Sequence, residues 1–247
     1  MLLRYVSVLG EAPMAFVILI AAFAFSLLVG LAFHEFMHAY TADRLGDPTP
    51  RRFGRLTLDP RAHLDPIGST LIFFIGFGWA RPVPVNPMNT RNPTSAMATI
   101  AAAGPLTNLA VAGLAGIPIR LGLVPPLHPF VGTGLAEPLA RYAAQSPENM
   151  LGLFLGTVVL LNVLLAVFNL LPVAPLDGFR VAVGLLPPEL ARPFASAERW
   201  GPGILMLLIF APFLTGGAVN PLYAVLGPPI ALLLDLFAPG IGRLAFG

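Results

Sequence analysis

Long apolar runs, separated by short polar loops, make up most of this chain of 247 residues. About 20 apolar residues at 1.5 Å each span the roughly 30 Å hydrocarbon core of a bilayer as an α-helix. Three runs reach that length: residues 14–42, 94–121 and 150–171. A fourth run, 202–236, is interrupted at 215–217 and at Pro221, which predicts a hairpin of two helices. The pattern therefore predicts an all-α integral membrane protein, built as a polytopic helix bundle.

Two shorter segments after the first run predict a different kind of element. Residues 67–77 are apolar but too few to cross a bilayer, which favours a re-entrant or interfacial piece. Residues 78–87 read GWARPVPVNP, and their prolines restrict them to an edge strand or a loop. We therefore expect a short re-entrant or β-strand element beside the helices.

The composition agrees with a protein that lies in the lipid bilayer. Hydrophobic residues make up 56% of the chain and charged residues 11%, with a mean hydropathy of +0.81, whereas soluble domains carry roughly 25% charged residues. The chain has no basic-aromatic cluster of the kind that binds nucleic acid. Cysteine is absent, which excludes disulfides and thiolate metal ligands. A transition-metal site must then use Asp, Glu and the four histidines.

A metal-binding pattern lies at the end of the first apolar run. His34, Glu35 and His38 form H-E-x-x-H, and on a helix the two histidines stand one turn apart on one face, where both can reach a single ion. Glu35 lies beside that face and can accept a proton from an attacking water. Ionisable residues at membrane depth are costly and usually functional. The pattern indicates a hydrolytic zinc site; the alternative is a pair of histidines that anchor the helix end at the lipid headgroups.

A catalytic zinc ion needs a third protein ligand, and Asp177 is the strongest candidate. It follows the third apolar run at the same depth as His34 and His38, although a plain Asp-Gly turn would also explain it. The other candidates are predicted to have structural roles. Asp43 points away around the helix, Asp47, Asp59 and Asp65 suit turns or arginine pairs, His63 suits a cap or a packing role, and His128 falls on the opposite side of the membrane.

Two motifs taken together, HEFMHAY (34–40) and FNLLPVAPLDG (168–178), closely resemble the site-2 protease family, the intramembrane zinc metalloproteases of peptidase family M50. The stretches RLTLDPRAHLDPIG, GFGWARPVPVNP and AAAGPLTNL are similar to that family too, so the resemblance covers residues 32–178. It implies that His34, His38 and Asp177 bind one zinc ion, that Glu35 is the catalytic base, and that Asn169 assists at the substrate carbonyl. From the residues alone, Asn169 would be a capping or packing amide. The chain resembles the compact branch, which has no PDZ or CBS domain.

The resemblance implies a zinc metalloendopeptidase that cleaves peptide bonds within or next to transmembrane segments of other membrane proteins. We expect one membrane-embedded domain, residues 1–247, with a catalytic core over 14–178 and a helical hairpin over 200–238. Its partners would be transmembrane substrates and the lipid bilayer, not nucleic acid. Two alternatives remain. A divalent-metal transporter would carry polar residues along a path between both faces, and a non-catalytic membrane scaffold would have no use for Glu35.

The arginines predict the orientation in the membrane. If residues 67–77 are re-entrant, eleven of the fourteen basic residues share the side of His38 and Asp177, which the positive-inside rule places in the cytoplasm. We therefore expect a prokaryotic plasma-membrane protein with its active site near the cytoplasmic side. There, residues 79–85 are hypothesised to bind an unwound substrate as an added β-strand, or else to pack the loop. Asn108, in GPLTN, is predicted to be a helix-packing residue.

Overall fold

The computed structural model describes residues 6–75, 78–130 and 135–241, and the chain is 74% helical. The α-helices of these residues are α1 (Val6–Glu11), α2 (Pro13–Phe25), α3 (Ala32–Arg44), α4 (Thr49–Arg52), α5 (Pro60–His63), α6 (Pro66–Ile75), α7 (Pro93–Arg120), α8 (Ala136–Ala143), α9 (Pro147–Asn169), α10 (Asp177–Leu185), α11 (Pro188–Ser196), α12 (Gly201–Leu214) and α13 (Pro221–Phe237). A π-helical segment, Ser26–Leu31, joins α2 to α3, and 3₁₀ turns lie at Pro87–Asn89 and Ala197–Trp200.

Four helical stretches of the described residues are long and apolar enough to cross a membrane: Pro13–Arg44, Pro93–Arg120, Pro147–Asn169 and Pro188–Leu214. The first three coincide with the predicted spans. The fourth differs from the prediction, because the helix does not start near residue 202 but runs back through the charged residues of α11. The helices α12 and α13 pack against each other, and the turn between them contains Gly216 and Gly217 with positive φ angles of 60° and 87°.

The same local device starts three of the long helices. Asn92, Ser146 and Asn220 each stand before a proline and accept a hydrogen bond from the backbone N–H three residues later. The side-chain oxygen satisfies one of the open N–H groups of the first turn, and proline at the next position has none to satisfy. These caps fix where α7, α9 and α13 begin.

The helix α7 lies at the centre of the bundle and packs against α3, α9 and α10. On one side, α7, α9 and α13 share a core of apolar side chains that includes Val163, Leu234 and Ile241. A second core joins α1, α2, α8 and α9 through residues such as Leu19 and Leu153. Both α3 and α10 pack on α7, and Asp177 at the start of α10 meets the first half of α3, which brings together residues about 140 positions apart.

The predicted β-strand element is wrong in its regular form, since no β-strand occurs among the described residues. Residues 78–86 are extended but make a single isolated antiparallel bridge, between Leu64 and Ala80, and one bond from the Arg81 N–H to the His63 carbonyl at 2.7 Å. The prolines that follow carry no N–H and cannot continue a ladder. The predicted re-entrant piece, 67–77, forms the ten-residue α6 up to Ile75, and its last two residues lie outside the described part of the chain.

Candidate metal centre

His34, His38 and Asp177 form one cluster. The two histidines lie on α3 with their ring centroids 4.6 Å apart, and both are buried. Asp177, the first residue of α10, places its Oδ2 atom 3.1 Å from His34 Nε2 and 3.3 Å from His38 Nε2. One ligand atom from each residue lies within 4.8 Å of the others. The structure thus brings together the three side chains that the sequence put forward as zinc ligands.

The hydrogen bond made by the Nδ1 atom of each histidine bears on the protonation of its Nε2 atom, which faces Asp177. His34 Nδ1 lies 2.7 Å from Asn108 Oδ1, and His38 Nδ1 lies 2.7 Å from the Ile100 carbonyl oxygen. Oxygens of this kind only accept hydrogen bonds, so both Nδ1 atoms carry the proton and donate. In a neutral ring, Nε2 is then the nitrogen with the free lone pair, and it lies next to Asp177. Bonding of the second ring nitrogen to a carbonyl or carboxylate is the usual arrangement of metal-binding histidines.

The cluster fits a zinc ion. Asp177 Oδ2 is buried without a hydrogen-bond donor among the described residues, and a metal cation between it and the Nε2 lone pairs of two neutral imidazoles would satisfy all three atoms. Ligand atoms at zinc distances of about 2.0–2.2 Å in a tetrahedral arrangement lie roughly 3.3 Å apart. The Nε2–Oδ2 distances of 3.1 and 3.3 Å match that separation.

Two glycines make room for this cluster. A Cβ atom at Gly104 would lie 2.5 Å from His38 Nε2 and 2.6 Å from His34 Nε2, so only glycine lets α7 pass this close to the ligands. A Cβ atom at Gly178 would lie 2.1 Å from the Leu170 carbonyl oxygen. Gly178 therefore allows the chain after α9 to fold back tightly, and this turn aims Asp177 at the histidines.

A cavity of about 940 Å³ opens beside the cluster. Its wall includes the three clustered residues and, next to them, Glu35 and Asn169. The Asn169 Nδ2 atom donates one hydrogen bond to the Leu165 carbonyl at 2.9 Å, which leaves its second amide hydrogen for another acceptor. The arrangement offers a metal site, a carboxylate and an amide donor on one surface that is large enough to receive a peptide.

The family model of peptidase family M50 matches residues 22–211, well over half of the chain. The chain belongs to peptidase family M50. It is 38% identical over 187 residues to the putative zinc metalloprotease YwhC of Bacillus subtilis, covering 76% of this chain and 79% of that protein. It is 34% identical over 200 residues to the putative zinc metalloprotease Rip2 of Mycobacterium tuberculosis, covering 79% and 69%. No solved structure matches the chain.

Membership of family M50 makes this protein an intramembrane zinc metalloprotease. Zinc is accordingly the metal for which the cluster of two histidines and one aspartate is suited. The matched range contains every residue that the sequence put forward for the site, from His34 to Asp177.

The other residues that the sequence offered as ligand candidates lie outside the metal cluster. Buried His63 donates from Nε2 to the Thr57 carbonyl at 2.7 Å, and buried His128 accepts at Nδ1 from the Phe130 N–H at 3.1 Å. Asp43 pairs with Arg51 at 2.7 Å. The His63 contact agrees with the capping or packing role predicted for it, and Asp43 is paired away from the cluster, as predicted.

Three loop carboxylates act as turn and cap residues. Asp59 and Asp65 accept from backbone N–H groups at the starts of α5 and α6. Asp47 is fully buried and accepts from Thr49, from the Asn86 N–H and from Asn89. Burial alone would raise the pKa of the Asp47 carboxyl, but these donors outweigh it and lower the pKa. Asp47 thereby fastens the end of α3 to the segment before α7.

Asn108 has a role that sequence reasoning missed. It was predicted to pack helices, and it is fully buried between them, but its Oδ1 atom also receives the His34 Nδ1 hydrogen. Its spacing carries a usable signal. Asn108 lies four residues after Gly104, on the face of α7 that meets the metal ligands.

Proposed function

We propose that this M50 protease binds its zinc ion through His34, His38 and Asp177 and uses Glu35 and Asn169 to hydrolyse peptide bonds in transmembrane segments of membrane proteins. The observation that carries the proposal is the buried Asp177 Oδ2 atom, which has no hydrogen-bond donor among the described residues and lies 3.1 and 3.3 Å from the Nε2 atoms of His34 and His38. A zinc ion bound between these three atoms would compensate for the burial of the carboxylate.

The residues around the cluster supply proton transfer and orientation. When bound, zinc lowers the pKa of water and polarises the scissile carbonyl. Glu35, in the cavity wall beside the ligands, accepts a proton from the attacking water and passes it to the leaving nitrogen. The remaining amide hydrogen of Asn169 donates to the carbonyl oxygen of the substrate as negative charge develops there.

This function is tested by two measurements on the purified, detergent-solubilised full chain. We measure zinc stoichiometry and cleavage of a synthetic transmembrane substrate for wild type and for Glu35→Gln. One zinc ion in both, with cleavage only by wild type, supports the proposal. Zinc without cleavage by wild type on several substrates would favour a non-catalytic scaffold. Absence of zinc from wild type would overturn the ligand assignment.

We also propose that residues 79–85 bind the substrate in an extended form. A substrate helix hides its peptide bonds in its own hydrogen bonds, so it must unwind before cleavage. Val83 and Val85 line the cavity, and their N–H groups make no hydrogen bond within the described part of the chain. They are therefore available to pair with an added strand.

A proline scan separates strand pairing from loop packing. Val85→Pro removes the N–H, whereas Val85→Ala removes most of the side chain and keeps the N–H. We expect Val85→Pro to lower kcat/KM by about tenfold, the loss of one well-formed hydrogen bond of roughly 1.4 kcal/mol, with zinc content unchanged. Equal cleavage by the proline and alanine variants would contradict substrate pairing.

For the topology, we propose a single membrane-embedded domain in the plasma membrane, with a re-entrant 67–77 and the metal centre near the cytoplasmic side. Two contacts support the re-entrant topology, in which the segment enters and leaves the membrane on the same side. The Leu64–Ala80 bridge joins the two ends of the segment, and Gly68 packs so closely on Trp79 that a Cβ atom would lie 2.2 Å from its carbonyl oxygen. The arginine bias then assigns that side to the cytoplasm.

The absence of native cysteine makes this topology measurable. Phe53→Cys and Leu123→Cys each place one thiol at an exposed position, 68% and 65% accessible in the native residues, on the two predicted sides. A membrane-impermeant maleimide added to intact cells should label the variant at 123 and leave that at 53 unlabelled until the cells are permeabilised. The reverse pattern would invert the assignment.

A further inference from the structure

A row of buried amides connects α9 to the metal centre. His34 Nδ1 donates to Asn108 Oδ1 at 2.7 Å. Asn108 Nδ2 donates to the Gly30 carbonyl and to Asn162 Oδ1, each at 3.0 Å. Asn162 Nδ2 donates to the Val158 carbonyl at 3.0 Å. Both asparagines are fully buried, and Asn162 lies in an otherwise apolar stretch of α9.

The donor-to-acceptor direction of the hydrogen bonds in this row is determined at Asn162, the residue farthest from the metal centre. The Val158 carbonyl only accepts, so Asn162 turns its NH₂ group to it and its Oδ1 atom to Asn108. The Gly30 carbonyl also only accepts. Asn108 must therefore present both amide hydrogens to Gly30 and Asn162, and its Oδ1 atom to His34. A flipped Asn108 amide would set oxygen against oxygen at two places.

The orientation of Asn108 in turn selects the tautomer of His34. With an acceptor at Nδ1, the ring proton stays on Nδ1 and the Nε2 lone pair points to the metal position. If Asn108 turned its NH₂ group to His34, the proton would move to Nε2 and block that ligand. The metal site thus depends on which way an amide points at a position outside the cavity.

We infer that Asn162 is a positioning residue for zinc: it acts through Asn108 to hold His34 in the metal-binding tautomer. The close packing of Gly30 on Asn162 supports this role. Gly30 lies in the π-helical segment, and a Cβ atom there would lie 2.9 Å from Asn162 Oδ1. An unpaired amide in an apolar helix is costly, and π-helical turns are frequent at functional sites. Here the π-helical turn places the Gly30 carbonyl, and the space left by the missing Cβ atom of Gly30, where the amides of Asn108 and Asn162 meet.

The test is zinc affinity, measured on the full chain by competition with a chelating dye. Asn162→Leu keeps the size of the side chain but removes the acceptor, and we expect it to weaken zinc binding by about tenfold, the lower range for partners of metal ligands. Asn162→Asp, as a neutral buried carboxylic acid, keeps one acceptor and one donor and should restore affinity to within about threefold of wild type. Thr157→Val is the matched control, because Thr157 is fully buried on the same helix and, among the described residues, its hydroxyl bonds only to the Leu153 carbonyl of that helix.

A spectroscopic measurement reads the tautomer itself. The chain has four histidines, so ¹⁵N spectra of ¹⁵N-histidine-labelled, metal-free protein can resolve them. Asn162→Leu should shift His34 toward the form protonated on Nε2, and Asn162→Asp should not. Wild-type affinity in Asn162→Leu would overturn the inference, and so would an Asn162→Asp variant as weak as Asn162→Leu. No substrate is used, so an inactive wild-type protein would count against the proposed cleavage and leave this inference standing.

Discussion

Asp177 carries a carboxylate whose Oδ2 atom is buried beside the Nε2 atoms of His34 and His38, where it needs a metal ion or a proton as its partner. Replacing that oxygen by an amide NH₂ group affects both zinc binding and the hydrogen bonds of the metal-free protein. Asparagine can donate to the histidine nitrogens, but it is a poor zinc ligand.

We therefore predict that Asp177→Asn loses zinc but stays folded without it, because the amide NH₂ group can donate to a neutral histidine nitrogen. Zinc content and the thermal midpoint in chelator measure the two effects. Asp59→Asn, at an exposed cap, should change neither markedly. An Asp177→Asn protein that keeps one zinc ion would contradict the ligand assignment.

His128, which lies between α7 and α8 in the chain, couples the stability of the folded protein to pH. Burial lowers its pKa from 6.5 to about 4, so the folded state binds the proton less readily than the unfolded state. The stability it contributes is complete above pH 6.5 and is lost as pH falls from 6.5 toward 4. The whole effect amounts to about 3 kcal/mol at about 1.4 kcal/mol per pKa unit.

A titration of thermal stability tests His128. His128→Asn keeps an acceptor for the Phe130 N–H but does not titrate. We expect the wild-type protein to lose more stability between pH 7 and pH 5 than this variant. Parallel loss in both proteins would show that other groups account for the acid sensitivity.

Spacing and the apolar pattern could point to the candidate ligands, since His34 and His38 are one helical turn apart and Asp177 precedes a glycine after an apolar run. They could not predict Asn162, or the Ile100 carbonyl that orients His38. These two partners lie 54 and 62 residues from the groups they bond to. A hydrogen bond over that distance depends on how helices pack, and it leaves no local pattern in the sequence.

At the scale of elements, the π-helical segment Ser26–Leu31 sets the rotation of α2 relative to α3. A π-turn holds one more residue than an α-turn. Removing one residue should restore an α-helix, and because an α-helix reaches nearly the same rotation with one residue fewer, α2 should keep its orientation relative to α3. The buried face of α2, which includes Leu19 and Phe23, would then keep its contacts, and only the π-turn at Gly30 would be lost.

Deletion of Leu28 tests this element, because its side chain is 43% exposed and Leu28→Ala provides a matched control. We expect the substitution to cost less than about 1 kcal/mol and the deletion to cost less than about 3 kcal/mol, the scale on which buried packing is lost. Thermal unfolding measures both. A deletion that costs more than about 3 kcal/mol would show that an α-helix cannot replace the π-helical segment in placing α2.

Helix prediction succeeded where length and hydropathy agree, as in α7 and α9. It failed where tertiary contacts decide the form. Residues 78–86 alternate suitably for a strand, but their prolines leave one isolated bridge, at Ala80. The charged α11 joins the helical stretch before α12, a continuity that the apolar pattern does not show.

At the scale of the whole molecule, the cavity has walls from distant parts of the chain. Leu205 of α12 and Leu226 of α13 line it together with the metal cluster. The stretch that contains α12 is little buried, whereas α13 packs into the central core. The two last helices therefore form one side of the space that would receive a substrate.

We predict that Leu205→Trp narrows this space and lowers kcat/KM for a transmembrane substrate by about tenfold, equivalent to roughly 1.4 kcal/mol, without changing zinc content. Leu207→Trp is the matched control, because Leu207 is on the same helix, is 61% exposed and does not line the cavity. Cleavage rates and zinc stoichiometry are measured for both. Equal rates would mean that substrate does not pass α12.

The close passage of α7 over the ligands bears on how proteases of this family are told apart from inactive relatives. A methyl group at Gly104 would overlap the Nε2 atoms of both histidines, and a single nucleotide change converts a glycine codon into an alanine codon. A chain could therefore lose its metal in one mutational step while H-E-x-x-H and the later aspartate stay intact. Searches that read only those motifs would count such a pseudoprotease as active, whereas a search that also required glycine at this position would not.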